Sequence, residues 1–197
     1  MTIKAAPGEL KIPESAVFQY IGGRGDKKAL EPLVRSCIEE MSGVITPRAC
    51  YDFFDISKDG DNIDLGFAKV KSHDLSKNLG DCKKIILIAV TVGIGADRLV
   101  GRYSLIDPSR AVTLQAVGAA AVEKFLDEIN DDFKEKYDLC PRYSCGYGDL
   151  DLSLQKDIFS ALPCEKTLGI TLNSSYLMTP TKSVTAIIGI KAEKEQK

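Results

Sequence analysis

The 197-residue sequence predicts an α+β fold, a single compact domain over residues 1–197 with a mainly antiparallel central sheet and flanking helices. Three observations predict it. The helical patterns come in groups instead of alternating strictly with strands. Two strand patterns, "VITPRACYDFFDI" from Val44 and "IDLGFAKV" from Ile63, are joined by the turn-rich "SKDGDN", which reads as a hairpin. A third, "KKIILIAVTVG" from Lys83, is β-branched and continuous, the pattern of a central strand buried on both faces.

The elements follow in chain order. "PESAVFQYIG" is a short helix ending at Gly22-Gly23. In "KKALEPLVRSCIEEMSG", Leu30, Leu33, Val34, Cys37, Ile38 and Met41 recur at helical spacing, and Gly43 stands at the C-cap position. Between them, Arg24–Asp26 spells an adhesion tripeptide, read here as a loop. "SHDLSKNL" is helical. After the central strand, Gly93-Ile94-Gly95 lacks a phosphate loop: Arg98 stands where a third glycine belongs, and no lysine–serine pair follows. It reads as a strand-to-helix turn.

"DPSRAVTLQAVGAAAVEKFLDEINDDFKEKY" is a long helix, with Asp107 as N-cap and Pro108 at the first helical position. Ala116, Gly118 and Ala119–Ala121 make its middle slim, as close helix packing requires, and the acidic "LDEINDDFKEK" reads as a solvated face. The helix "LSLQKDIFSAL" is stopped by Pro163. An extended segment, a loop, the last strand "SVTAIIGIKA" and a charged tail complete a core spanning about residues 12–191.

Composition narrows the function. With 26 basic residues against 28 acidic and no basic block, nucleic-acid binding is excluded as an expectation. No apolar run approaches the ~18 residues that span a bilayer, and a cytoplasmic protein is expected. The six cysteines form no CxxC pair, so reduced, partly buried thiols are expected in place of zinc or iron–sulfur ligands. The one histidine, His73, opens a helix as a surface or capping residue.

The chemistry-bearing stretch is "RYSCGYGDLDLSLQKDIF", from Arg142 to Phe159. Arg142 offers a planar five-donor fork suited to a carboxylate or phosphate. Gly146 and Gly148 let backbone groups approach a ligand, and Tyr143 and Tyr147 offer flat faces for an aromatic base. The other reading of the same residues is a surface turn held by an ion pair between Arg142 and Asp149.

Together with "LGITLNSSYLMTPTKSVTAIIGI", this stretch resembles the activation domain of cobalamin-dependent methionine synthase. That family carries Arg-x-x-x-Gly-Tyr, a helix, then Gly-hydrophobic-x-Leu-x-x-Ser-x-x-Met-x-Pro-x-x-Ser-Val. Here these are Arg142, Gly146 and Tyr147, then Gly169, Leu172, Ser175, Met178, Pro180, Ser183 and Val184, ordered across roughly the last third of the chain. The resemblance implies an S-adenosylmethionine site at Arg142, Ser144, Gly146 and Tyr147, with Arg142 on the methionine carboxylate and no catalytic side chain. It implies cobalamin carried by a partner, a methionine synthase or related methyltransferase, and an external flavodoxin-like or ferredoxin-like electron donor. The chain is about the size of this one domain, so a free-standing reactivation factor is the expectation. The family's proline before Gly-Tyr is Cys145 here, its aromatic pair is Ile187-Ile188, and its helix acid falls nearest Ala120, with Glu123 one turn on. Two other functions stand beside this one: a docking protein that has lost the ligand, which the missing acid fits, and a thiol-based redox module that uses the six cysteines on a corrinoid protein.

Overall fold

A computed structural model describes residues 1–5, 8–22 and 27–194. The Arg24–Asp26 tripeptide, Gly23 and the last three residues lie outside them. In chain order the elements are β1 (Thr2–Lys4), α1 (Glu14–Ile21), α2 (Lys27–Ser42), β2 (Arg48–Asp55), β3 (Ser57–Asp59), β4 (Asn62–Asp64), β5 (Lys69–Lys71), α3 (His73–Leu79), β6 (Lys84–Thr91), α4 (Ile94–Tyr103), α5 (Pro108–Lys136) and β7 (Tyr137–Leu139). A 3-10 turn at Leu152–Leu154 leads into α6 (Gln155–Ala161), α7 (Cys164–Leu168), β8 (Thr171–Leu172), β9 (Met178–Thr179) and β10 (Ser183–Glu193).

Five strands form the main sheet in the order β1-β2-β6-β10-β7, every neighbouring pair antiparallel. The continuous apolar run of β6 is explained by burial on both faces. Side chains alternate across a strand, so Ile86, Ile88 and Val90 enter one core with α1, α2, α4 and α5. Ile85, Leu87 and Ala89 enter a second core with α3, α6 and α7. Strand β10 divides likewise: Ala186, Ile188 and Ile190 face the first core, and Ile187 faces the second.

Helix α5 lies across the first face. Its start is fixed as the sequence predicts, with the Asp107 carboxylate accepting the Arg110 N–H (2.9 Å) and Pro108 in the first turn. Ala116, Gly118, Ala120 and Ala121 are buried, and the stem of Lys182 lies over Gly118. Arg110 donates to Glu40 and Ser36 of α2 through its guanidinium nitrogens (2.8–3.1 Å), and Tyr103 of α4 donates to the same carboxylate (2.9 Å). This network ties three helices at one end of the layer.

Three details differ from the sequence reading. The hairpin joins β3 to β4 within a separate three-stranded sheet, β3-β4-β5, because the chain leaves the main sheet at Ile56 before turning at Gly60. Pro163 follows the end of α6 as expected, but the segment read as extended opens with α7 immediately after it, where a proline's missing N–H costs nothing. Gly43 follows α2 but is not left-handed, so it is not the C-cap glycine expected there. All six cysteines are free and buried.

Candidate functional site

Past β7 the chain keeps contact with β10. The Cys140 N–H donates to Gly189 O (2.9 Å), and Tyr143 exchanges backbone bonds with Ile187 (2.9 and 2.8 Å). The segment therefore keeps a strand's alternation: Tyr143 packs on the second core, and Arg142 points the other way, toward α5. There its two terminal nitrogens meet two carboxylates one helical turn apart, Nη1 on Asp127 Oδ1 (2.6 Å) and Nη2 on Glu123 Oε2 (3.3 Å). The Arg142 side chain is 25% exposed, against 38% for Glu123 and 56% for Asp127.

Beside this cluster opens a cleft of about 320 Å³ lined by Glu123, Leu126, Arg142, Tyr143, Ser144, Tyr147, Val184 and Ala186. Its floor is the α5-facing side of β10 and its rim is the turn after Arg142. That turn is closed by Gly146 N–H on Leu150 O (2.9 Å) and Leu150 N–H on Tyr147 O (3.0 Å). The Ser144 hydroxyl donates to Thr185 O (2.7 Å), fixing the turn to β10. The Tyr143 hydroxyl donates to Tyr147 O (3.2 Å), which leaves the Tyr147 ring standing out at 69% exposure. Tyr20 of α1 lies within the electrostatic reach of the same charges. Its phenol is held above the ordinary range by burial first, and then by the negative field of Glu123.

The structure thus brings Arg142, Ser144 and Tyr147 to one cleft, while Gly146 is not among its lining residues. Gly146 has a backbone reason of its own, φ +85°, a conformation that side chains resist. Gly148 combines φ +53° with crowding: a Cβ there would collide with Asp74 Oδ2 and lie 2.5 Å from the Tyr143 oxygen.

The alternative partner for Arg142, Asp149, is engaged elsewhere. Its carboxylate accepts from the Ser72 hydroxyl (2.5 Å) and from the His73 (2.7 Å) and Asp74 (3.3 Å) backbone N–H groups, binding the turn to the start of α3. Ser72, not His73, caps that helix. The actual partner Asp127 lies in the stretch expected to be a solvated face. No local signal singles it out, since Asp127 and Asp131, and Glu128 and Asp132, repeat the i, i+4 acid spacing of Glu123 and Asp127 along the same helix.

A wider concavity of about 540 Å³ lies on the small sheet, lined by Lys58, Lys69, Lys71 and their acidic neighbours, and holds none of the expected residues. Among the described residues no group of three or more His, Cys, Asp or Glu side chains is placed to hold a metal ion. No helix among them is long and apolar enough to cross a membrane.

The antiparallel sheet covered on both faces has a solved counterpart. The fold is that of the MetH reactivation domain, whose crystal structure bound to AdoHcy superposes with a TM-score of 0.71 at 16% identity, covering 100% of this chain and 80% of that one. A family model, vitamin B12 dependent methionine synthase, activation domain, matches residues 75–196. The chain belongs to that family. Among curated proteins, no sequence match was found.

Proposed function

We propose that this domain binds S-adenosylmethionine in the Arg142 cleft and presents its methyl group to a corrinoid carried by a methionine synthase or related methyltransferase. The observation that carries the proposal is the charge arrangement beside the cleft. Arg142, Glu123 and Asp127 sum to one negative charge. S-adenosylmethionine carries a carboxylate, an ammonium and a sulfonium, and so one net positive charge. The arginine fork suits the carboxylate, the two helix acids suit the cationic end, and the exposed face of Tyr147 suits the adenine. Membership of the activation-domain family supports the same ligand.

The corrinoid supplies the nucleophile that receives the methyl group, so no side chain of this domain is asked to be one. The domain's share is orientation and exclusion of water. Arg142 and the acids fix the amino-acid end, the turn at Ser144–Tyr147 borders the adenosine, and Leu126, Val184 and Ala186 keep the cleft apolar between them. The electron that restores the corrinoid is assigned to a separate flavodoxin-like or ferredoxin-like donor.

One observation favours a second reading, a docking protein without ligand: Arg142 is already satisfied by the domain's own carboxylates. Calorimetric titration separates the two. S-adenosylmethionine and S-adenosylhomocysteine are expected to bind and to raise the melting temperature, and ATP, which brings phosphates in place of an amino acid, is expected to do neither. An ATP response equal to that of S-adenosylmethionine overturns the proposal, and silence from both sulfur ligands favours the docking reading.

A further inference from the structure

Four of the six cysteines meet in pairs that no local motif announces. Cys82, between α3 and β6, lies 3.5 Å sulfur to sulfur from Cys140, which follows β7. Cys50 of β2 and Cys164 of α7 form a second neighbouring pair, close enough for each to shift the acidity of the other. The first pair sits over β10 at Gly189, whose backbone pairs with Ile85 of β6 on one side and accepts the Cys140 N–H on the other. A Cβ at position 189 would stand 2.9 Å from Cys82 Sγ and 3.1 Å from Cys140 Sγ, so the glycine makes room for the two sulfurs.

We propose that Cys82 and Cys140 are a disulfide-forming site, a clasp that closes over β10 when the domain meets a small-molecule disulfide. The sulfurs are already in contact, so closing the bond needs side-chain rotation and a small shift, not a rearrangement of strands. Access selects this pair. Cys82 and Cys140 are 5% and 6% exposed beside the exposed residues Asp81, Lys83 and Pro141, whereas Cys50 and Cys164 are each 1% exposed, where α7 packs on the sheet.

The step balances by thiol–disulfide exchange. One protein thiolate attacks the oxidant's S–S bond, giving a mixed disulfide and one released thiolate. The second protein thiolate displaces the remaining half. The oxidant's S–S bond is broken and reduced to two thiols, the Cys82–Cys140 bond is formed, and the two protons lost by the protein are taken up by the two leaving groups. Burial pushes the Cys82 thiol up to about 11, which makes the exchange slow at neutral pH. Closure pins Cys140, two residues ahead of Arg142, to the α3–β6 connection. The proposal does not depend on which ligand the cleft takes.

The test incubates the native chain with oxidised glutathione, quenches with acid, alkylates the remaining thiols under denaturing conditions and maps the peptides by mass. A linked Cys82–Cys140 peptide lighter by two hydrogens is expected, with Cys50 and Cys164 still alkylated and Cys145 carried no further than a mixed disulfide. In Cys140→Ser the link is expected to vanish, with glutathione retained on Cys82. Absence of the Cys82–Cys140 peptide from native protein, when the same chain in urea is oxidised by the same treatment, overturns the proposal. So does a Cys50–Cys164 link formed in native protein as fast as the first.

Discussion

Arg142→Lys keeps the positive charge but removes the planar pair of donors that reaches Glu123 and Asp127 together. Loss of a charge-assisted hydrogen bond of this kind is expected to weaken S-adenosylmethionine binding by roughly 10- to 150-fold. Stability is expected to change little, since the ion pairs are partly solvated. Calorimetry on the folded variant checks both, and wild-type affinity there leaves Arg142 as scaffolding. The glycines give a second residue-level test. Gly80 and Gly148 share φ +53°, but nothing lies within 4 Å of a Cβ at Gly80, whereas one at Gly148 meets Asp74 and Tyr143. Gly80→Ala thus measures backbone strain alone. Gly148→Ala is expected to cost about 1–3 kcal/mol more in denaturant unfolding. Equal losses would show that Asp74 and Tyr143 move aside freely.

Between elements, the tie from the site turn to α3 depends on ionisation. The Asp149 carboxyl is held below the ordinary aspartate range, chiefly by the Ser72 hydroxyl and then by the His73 and Asp74 N–H groups. A depressed folded-state pKa stabilises the fold in full above the unfolded value of about 3.9. That contribution is lost as pH falls through the lower folded value. Asp149→Asn is expected to be less stable than wild type at pH 7 and to show a shallower acid loss, as thermal melts across the acid range will read. The same scale shows what the sequence makes legible. The start of α5 is readable because Asp107 and Pro108 act locally, and β6 because burial on both faces leaves no polar position. Strands β1 and β7 are three residues each, too short for any periodicity, and exist because neighbouring strands hold them. Helix α7 is hidden behind a proline that serves equally to end one helix and begin another. At the cleft, Arg142 and Tyr147 are visible through local spacing, and Ser144 only through the family resemblance. Asp127 is not, because an acidic helix face looks the same whether it meets water or an arginine from 15 residues away.

Across the whole molecule, the sheet is the shared wall of two cores, and β6 places consecutive residues in each. Leu87 and Ile88 are both fully buried, on opposite faces. Truncating either to alanine is expected to cost about 2–5 kcal/mol. Because one strand serves both cores, each variant is expected to unfold in a single transition, with far-UV circular dichroism and tyrosine fluorescence coincident in urea. Separate transitions for the two probes would mean that the faces unfold independently.

The two margins of the main sheet also govern how copies of this domain behave in company. An open strand is a template on which another chain can add itself, row by row. Strand β1 covers only Arg48–Cys50 of β2, and the Tyr51 N–H goes to Met1 O (3.0 Å). Farther along β2, Asp52 and Asp55 bring negative charge, and Asp52 takes the Phe53 N–H onto its own carboxylate (2.9 Å). A donor otherwise available to a passing strand is thereby used up. At the opposite margin, β7 is short and its pairing with β10 is interrupted by a register shift between Ile190 and Ala192. With both templates blunted, a domain built around two long apolar strands can be concentrated without recruiting its neighbours into a growing sheet.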